Sequence, residues 1–270
     1  MKKLFATILS FLGVLSLTGC NQNYLIDDNA TTITVAASPT PHAQILNECV
    51  DLMADKGYTL IVKEFTDYVL PNTATQDGSV QANYFQHTPY LDEFNQFNGT
   101  NLVSVGKVHY EPFGIYAGTY SSLENLPKGS KIVVPNDGTN EARALLLLQQ
   151  AGLITLNDGI GLSATKLDIK DSNGYQIIEA EAAAIASLRQ DAALVVLNGN
   201  YALSNNLKVT DALEIEDATS LAAKTYANIL VVRDGNQEKP IVKALYDCLT
   251  SSEIKSYIEQ TYSGSVIPLS

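Results

Sequence analysis

Short runs of β-branched and apolar residues alternate with helical patterns from Ile33 onward, and this alternation limits the possible folds more than any other feature. It favours α/β layers in which the strands are largely parallel. The predicted strands are Ile33–Ala36, Leu60–Lys63, Ala82–Gln86, Leu102–Tyr116, Lys131–Pro135, Gln176–Glu179, Ala192–Leu197 and Asn228–Arg233. The predicted helices are Pro41–Lys56, Asn140–Ala151 behind a cap at Asp137 and Thr139, Glu181–Arg189 and Pro240–Glu259.

The run Leu102–Tyr116 is too long for a typical single buried strand, and it contains Pro112 and Gly114. It could therefore leave one sheet and enter another, with Thr225–Arg233 as the return. Two crossings of this kind predict two lobes with a cleft between them. One continuous sheet with a bent strand is the alternative, because periodicity does not distinguish the two arrangements.

The composition predicts a folded, acidic protein. Apolar residues make up 46% of the 270 residues and charged residues 17%, which excludes general disorder and suffices for one large domain or two lobes. A formal charge of −12 leaves no basic face for phosphate backbones, so we exclude nucleic acid as a partner. Three histidines and three cysteines, without C-x-x-C or H-x-x-x-H spacing, are too few for a transition-metal site. We expect no metal and no cofactor.

The N-terminus is typical of an export signal. Two lysines precede the apolar run Leu4–Leu15, and Leu17–Cys20 closes the segment with small residues before a cysteine. These four residues resemble the bacterial lipobox, which implies acylation of Cys20, removal of residues 1–19 and a mature chain of 270 − 19 = 251 residues. A simple secretory peptide or an uncleaved anchor helix is the alternative. We expect a protein lipid-anchored to the cell membrane on its extracytoplasmic side, with 20–32 as a polar tether.

Catalytic motifs are weak throughout the chain. Ser163 and Ser252 each begin an S-x-x-K pattern, but no S-D-N or K-T-G motif accompanies them. His42 and His109 stand alone in the sequence and are interpreted as hydrogen-bonded structural groups. We therefore expect no catalytic residue and no enzyme.

Cys49 and Cys248 could form a disulfide in an exported protein if the fold brings their Cα atoms within about 7 Å. The alternative is that both are small core residues on apolar helix faces. The sequence leaves both possibilities open.

Recognition-type side chains cluster beside predicted strand ends, where α/β folds bind ligands. They are Tyr68, Tyr84, Phe85, His87, Tyr90, Arg143, Asn198 and Asn200. Such a set suits a small zwitterion, because an arginine near a helix start can hold a carboxylate and asparagine oxygens can accept from an ammonium group. Aromatic rings can enclose an apolar or thioether side chain.

Each of these side chains also has a purely structural interpretation. Arg143 could pair with Glu141 or with a neighbouring lobe. Tyr84 and Phe85 alternate on a strand, so one of them must face away from any ligand. The two asparagines could simply form a turn.

Five blocks of the sequence match a pattern found in one protein family. The blocks are Ala37–His42, Ala82–Leu91, Tyr110–Tyr116, Pro135–Leu145 and Asn198–Ala202. With them the chain resembles the NlpA lipoprotein family, whose members are substrate-binding lipoproteins of methionine ABC transporters. The resemblance implies a bilobed periplasmic-binding-protein fold: α/β, with two mixed sheets flanked by helices and a hinged ligand cleft. The implied boundaries are 33–112 and 228–270 for lobe I and 113–227 for lobe II.

The resemblance also implies roles for eight residues. Tyr68, Phe85, His87 and Tyr90 would enclose a methionine side chain, Arg143 with Asn140 would hold the carboxylate, and Asn200 and Asn228 would contact the amino-acid head group. Whether Asn198 or Asn200 faces the ligand stays open. The segment Asp168–Glu181 departs most from the family pattern, which leaves the shape of one cleft rim open.

The function implied is capture of methionine, with the L enantiomer expected, and delivery to an ABC permease and ATPase complex in the membrane. The same fold could instead bind a methionine-containing dipeptide, D-methionine or another apolar amino acid. Alternatives from other classes are a surface adhesin with a vestigial cleft and, weakest, an exported hydrolase. A panel of thermal shifts across amino acids and short peptides discriminates between these functions.

Overall fold

The structure is a computed structural model that describes residues 25–217 and 225–269. The predicted lipidation site, Cys20, lies outside these residues. The strands are β1 (Thr32–Ala37), β2 (Thr59–Glu64), β3 (Ala82–His87), β4 (Leu102–Tyr110), β5 (Gly114–Ala117), β6 (Lys131–Pro135), β7 (Thr155–Leu156), β8 (Ile169–Asp171), β9 (Gln176–Ala180), β10 (Leu194–Leu197), β11 (Ala212–Ile215), β12 (Asn228–Arg233) and β13 (Ile267–Pro268). The helices are α1 (Gln44–Asp55), α2 (Leu70–Gln76), α3 (Thr88–Asn98), α4 (Gly138–Gln150), α5 (Ala182–Ile185), α6 (Gly199–Ser204), α7 (Pro240–Leu249) and α8 (Ser252–Tyr262).

The first sheet has six strands in the order β13-β4-β12-β3-β1-β2. β1 pairs in parallel with β2 and β3, whereas β12 runs antiparallel to β3 and β4. Ile33 and Val35 of β1 are buried against the apolar faces of α1 and α7, which contribute Leu46 and Leu245. This packed layer removes a large apolar area from water and holds together what we call lobe I.

The second sheet has five strands in the order β11-β5-β10-β6-β9. β10 is parallel to β6 and antiparallel to β5. Helix α4 covers this sheet with Leu145 and Leu148, which are fully buried in one cluster with Ile132 and Val196. We call this sheet with its helices lobe II. Both sheets mix parallel and antiparallel pairs, as the family resemblance implied. The largely parallel arrangement that the alternating pattern favoured is wrong, because β4 and β12 in the first sheet and β5 and β11 in the second run antiparallel to their neighbours.

The chain passes between the two sheets twice. β4 ends at Tyr110 in the first sheet and β5 begins at Gly114 in the second, so the predicted crossing around Pro112 is confirmed. The return runs from Ile215, at the end of β11, to Asn228, at the start of β12. The alternative of one continuous sheet with a bent strand is therefore wrong.

Two predicted helices have different bounds in the structure. The single helix predicted over Pro240–Glu259 is two helices, because the side chain of Ser251 caps α8 by accepting from the backbone N–H of Ile254 at 3.3 Å. Helix α1 begins three residues later than predicted, because the three residues before it belong to a π-helical turn over Pro39–Ala43. The break at Ser251 leaves the period of the apolar residues unchanged, and for this reason the periodicity predicted a single helix over Pro240–Glu259.

Four short strands, β7, β8, β11 and β13, had no counterpart in the prediction. Each has two to four residues, which is too short for an alternating pattern to stand out. The predicted helix Glu181–Arg189 forms as α5 followed by a 3₁₀ turn over Ala186–Gln190. These differences leave the two-sheet architecture unchanged.

Both described cysteines are core residues. Cys49 and Cys248 are buried in the cluster between α1 and α7, and their thiols are unpaired. Between them, the two described ranges of the chain contain no helix long and apolar enough to cross a membrane.

Candidate ligand-binding site

A cavity between the two lobes brings the predicted site residues together. The space between its lining atoms is about 340 Å³, including the part that is open to solvent. The lining residues are Tyr68, Phe85, Gln86, His87, Tyr90, Glu111, Asn140, Arg143, Asn198, Gly199, Asn200 and Asn228. All eight residues that the sequence placed at a site are among them, and so is Asn198. The sequence reasoning did not single out Gln86, Glu111 or Gly199.

Three aromatic rings from lobe I form one wall of the cavity. The ring centroid of Tyr68 lies 5.7 Å from those of both Phe85 and Tyr90, which are 6.1 Å apart from each other. The alternation of β3 sends Tyr84 into the core and Phe85 to the cavity side, so one of the two faces away as expected. This wall offers apolar, polarisable surface to a ligand.

His87 is held as a neutral imidazole at the start of α3. Its Nδ1 accepts from the backbone N–H of Tyr90 at 3.2 Å, so the hydrogen sits on Nε2, 3.2 Å from Oδ1 of Asn140. Burial, followed by the charge of Arg143, lowers the pKa of His87 to about 3. The ring therefore caps a helix and links the lobes through Asn140.

Asn140 organises the polar wall of lobe II. Its Oδ1 accepts from Nδ2 of Asn198 at 2.9 Å as well as from His87, and its own Nδ2 donates to Asp137 at 2.8 Å. Asp137 also caps α4 by accepting from the backbone N–H of Asn140, as predicted. The Oδ1 of Asn198 is left buried with no hydrogen-bond partner among the described residues. A buried acceptor without a donor costs free energy unless a ligand supplies that donor.

Asn200 and Asn228 each have one side-chain atom already engaged. The hydroxyl of Tyr68 donates to Oδ1 of Asn200 at 2.6 Å, and Oδ1 of Asn228 lies 2.9 Å from Nε2 of His42. Both amide oxygens therefore accept from protein donors. The amide nitrogens are the atoms of these two residues that remain to contact a ligand.

Arg143 pairs with Glu216, a residue on the return crossing that the sequence reasoning did not consider. Nε lies 3.0 Å from each Glu216 oxygen, and Nη2 lies 2.6 Å from Oε2. Nη2 also donates to the backbone oxygen of Glu111 at 2.9 Å. The suggested pair with Glu141 is therefore wrong. Arg143 also lies in the second turn of α4 and not the first, because the helix begins at Gly138.

Nη1 is the guanidinium nitrogen of Arg143 that the bonds to Glu216 and Glu111 do not use. The guanidinium also interacts with the hydroxyl of Tyr110, and Arg143 lines the cavity. The guanidinium carbon lies 4.5 Å from the ring centroid of Tyr226 and 4.8 Å from that of Phe113. Burial alone would lower the pKa of Arg143, but the charge and hydrogen bonds of Glu216 outweigh it, so the pKa is raised and the group stays charged.

Glu111 joins the two lobes at the base of the cavity. Its Oε1 lies 2.7 Å from Nε2 of His109 and 3.3 Å from Nε2 of His42, both in lobe I. On the lobe II side, the backbone N–H of Asn200 donates to the same carboxylate. A Cβ at Gly199 would lie 2.7 Å from Cβ of Glu111, so only glycine permits this approach. Burial raises the pKa of Glu111, against the lowering effects of His42, Arg143 and the Asn200 N–H.

The ligand-type atoms of His42, His109 and Glu111 lie within 4.8 Å of one another, so this group could in principle hold a metal ion. The hydrogen bonds do not suit that role. Nε2 of each imidazole faces a carboxylate or amide oxygen, so each must carry its hydrogen there. A metal on Nε2 would move the hydrogen of His42 to Nδ1, which is buried without a partner among the described residues.

Comparison with known proteins gives consistent results along almost the whole chain. The sequence profile described as NlpA lipoprotein matches residues 33–270. The methionine-binding lipoprotein MetQ of Bacillus subtilis is 42% identical over 278 aligned residues, covering all of both chains.

Solved structures agree with this match. A lipoprotein from Ruminococcus gnavus is 53% identical, with a TM-score of 0.88 over 89% of this chain and 100% of its own. A nutrient-binding protein from Burkholderia cenocepacia, solved with methionine bound, is 38% identical, with a TM-score of 0.83 over 87% of this chain and 99% of its own. The bilobed binding-protein fold and the family expected from the five blocks are confirmed: the chain belongs to the NlpA lipoprotein family.

Proposed function

We propose that this chain is the substrate-binding lipoprotein of an ABC importer and that it captures methionine, with the L enantiomer expected, in the cavity between its lobes. The main support for the proposal is that this cavity is polar on one side and apolar on the other. The guanidinium of Arg143 and the unpaired Oδ1 of Asn198 lie on the lobe II side, and an aromatic wall lies on the lobe I side. A zwitterion with an apolar side chain matches both.

The head group of the ligand is held by complementary charges and dipoles in this proposal. Its carboxylate accepts from Nη1 of Arg143 and from Nδ2 of Asn228, with Asn200 as a further amide donor. Its ammonium group donates to Oδ1 of Asn198 and approaches the carboxylate of Glu111, which lines the cavity. Asn140 acts by orienting Asn198 and His87, because its own amide atoms already have partners.

The thioether side chain lies against the rings of Tyr68, Phe85 and Tyr90. Sulfur–aromatic contacts contribute roughly 0.3–1.5 kcal/mol each, which favours methionine over an aliphatic side chain of similar size. His87 closes the same wall as a neutral ring and brings no charge against the apolar part of the ligand.

Capture works by a population shift between an open and a closed form. Lobe I (33–112 and 228–270) and lobe II (113–227) move as rigid bodies about the two crossings, and ligand contacts from both stabilise the closed form. In the structure the lobes already touch: the hydroxyl of Tyr201 donates to the backbone oxygen of Thr66 at 3.1 Å, and Tyr68 donates to Asn200. The closed surface is what a membrane permease with its ATPase recognises.

The chain acts from the membrane surface and without covalent chemistry. Acylated Cys20 holds the protein to the extracytoplasmic face of the cell membrane. The predicted tether 20–32 is wrong in its later part, because Ile26 is buried against lobe I and Thr32 begins β1. Ser163, which begins one of the two weak S-x-x-K patterns, is exposed and donates to the backbone oxygen of Ile160, away from the cavity. None of the described residues that line the cavity has the geometry of an activated nucleophile, which supports a binding role rather than an enzymatic one.

Native mass spectrometry of protein purified without refolding, followed by calorimetry, tests the proposal. The panel is L-methionine, D-methionine, a methionine-containing dipeptide and leucine. We expect L-methionine to bind most tightly, and Asn198→Ala to weaken that binding at least tenfold because an ammonium donor loses its acceptor. Asn206→Ala, an exposed asparagine after α6, is the matched control and should leave the affinity unchanged.

The outcomes separate the functions considered. If another member of the panel binds most tightly, the proposed fold and site stand, but the ligand is that compound. Absence of any bound small molecule, together with specific binding to a host protein, would favour an adhesin and contradict the proposal. Equal affinities for the Asn198 variant and the parent protein would overturn the ammonium assignment.

A further inference from the structure

A carboxylate of lobe I lies directly against the start of a helix in lobe II, outside the ligand cavity. The carboxylate of Glu93, on α3, lies against the first turn of α4, and the backbone N–H of Thr139 in that turn lowers its pKa. A Cβ added to Gly138 would lie only 2.3 Å from Oε1 of Glu93 and 3.3 Å from its Cδ. Glu93 does not line the ligand cavity, so this contact joins the lobes without involving the ligand.

Some interactions favour the contact between Glu93 and the first turn of α4, and others oppose it. The first turn of a helix offers free N–H groups and the positive end of its dipole, both of which attract a carboxylate. Burial and the nearby charge of Asp137 oppose it and raise the pKa of Glu93, while the Thr139 N–H acts in the other direction. A contact balanced in this way can stabilise closure and still be released when the lobes open.

We propose that Glu93 is a positioning residue that latches the two lobes together by docking its carboxylate on Thr139 beside Gly138. Hydrogen bonds from Tyr68, His87 and Tyr201 also join the lobes. Tyr68 and His87 line the ligand cavity, whereas Glu93 does not, so the Glu93 latch can change closure without changing a ligand contact.

The expected effect on binding follows from the population of the closed form. An apparent dissociation constant equals the intrinsic one divided by the fraction of competent protein, so loss of the latch raises it by the factor by which closure falls. We expect Glu93→Ala to raise the dissociation constant for L-methionine by about fivefold, mostly through faster dissociation. The predicted change in methionine affinity rests on the proposed function, whereas the predicted change in closure of the ligand-free protein does not.

Closure is measured directly by the distance between spin labels on the full-length chain in detergent. Ile61→Cys on β2 and Leu167→Cys in lobe II place one label on each lobe at exposed positions, 43% and 93% accessible. In the ligand-free protein, Glu93→Ala should move the distance distribution toward the open form. Asp92→Asn, an exposed neighbour on the same helix, is the control and should not.

A double-mutant cycle separates the latch from a general structural effect. Gly138→Ala should open the free protein as Glu93→Ala does, because the new methyl group displaces the carboxylate, although alanine favours the helix and thermal stability should not fall. In the Glu93→Ala background, Gly138→Ala should have little further effect, since nothing remains to displace. Glu93→Gln, which keeps an acceptor oxygen for Thr139, should largely restore closure.

The possible results either support the latch or overturn it. Additive effects of Glu93→Ala and Gly138→Ala, or an unchanged distance distribution in both, would overturn it whether or not methionine binds. A shifted distribution in the free protein together with no binding of any amino acid would support the latch while contradicting the proposed function.

Discussion

Replacement of Glu216 by glutamine tests the central electrostatic feature of the site, because Glu216 is the protein's own counterion to Arg143. The two side chains are 9% and 4% exposed and share three hydrogen bonds between 2.6 and 3.0 Å. Breaking a buried ion pair costs 3–5 kcal/mol because a charge is left without a partner. Since the glutamine oxygen still accepts one hydrogen bond, we expect a loss near the lower end, about 3 kcal/mol.

Ligand binding should change in the opposite direction. Without Glu216, none of the remaining hydrogen-bond partners of Arg143 among the described residues carries a full negative charge, so the affinity for the methionine carboxylate should rise by about tenfold, or about 1.4 kcal/mol. Saturating methionine should therefore recover part of the stability that the substitution removes. The ligand-free variant is predicted to be less stable than the ligand-free parent protein, and methionine is predicted to raise its stability by a larger amount.

Thermal unfolding with and without methionine measures both effects. A loss of about 3 kcal/mol corresponds to a fall in the midpoint of about 6–12 °C for a chain of this size. Glu214→Gln, two residues earlier and partly exposed, is the control and should shift the midpoint by little. An unchanged midpoint for the free Glu216 variant, or a smaller gain from methionine than in the parent protein, would refute this account of the Arg143 charge.

Two further predictions concern the buried charges and rings. Arg143→Ala should lower methionine affinity by several kcal/mol, because the ligand carboxylate would be buried without its partner, and calorimetry with unchanged affinity would contradict the assignment. His42, His87 and His109 should not titrate in the native protein above pH 5, since burial lowers their pKa values to about 4, about 3 and about 3. The unfolded chain takes up their protons near pH 6.5, so stability should fall as the pH drops below that value, by at most about 4 kcal/mol per pH unit for three protons. The raised pKa of Glu111 acts in the opposite sense and reduces this slope; proton NMR of the imidazole rings together with unfolding between pH 4 and 7 checks both statements.

The fold could be predicted in outline because its strands carry strong local signals. β-branched runs such as Leu60–Lys63 and Lys131–Pro135 form strands with nearly the predicted bounds. Pro112 and Gly114 marked the first crossing between sheets, since both are poorly tolerated within a central strand. The break at Ser251 and the short strand β11 had no such signal: one depends on a single cap and the other on pairing with a distant strand.

The site was predictable in its residues but not in its hydrogen bonds. All eight candidates line one cavity, yet the partner of Arg143 is Glu216, 73 positions away. No spacing rule connects two residues that meet only because helix α4 lies beside the return crossing. Glu111 is similar: its environment comes from His42, His109 and Asn200, which three separate segments bring together.

The arrangement of charge also indicates which ligands the cavity can accept. Arg143 and Glu216 together add no net charge, so a ligand that is neutral overall can be buried there without leaving an uncompensated ion. A zwitterionic amino acid meets this condition only when its side chain is uncharged, because the three rings of the aromatic wall carry no charge and His87 stays neutral. Lysine or glutamate would each have to bury an unpaired charge against Tyr68 and Phe85, at a cost of several kcal/mol. The cavity should therefore select ligands with apolar side chains, because the three rings offer no charge to pair with a charged side chain. Among apolar side chains, the preference for methionine depends on the fit of its thioether to these rings.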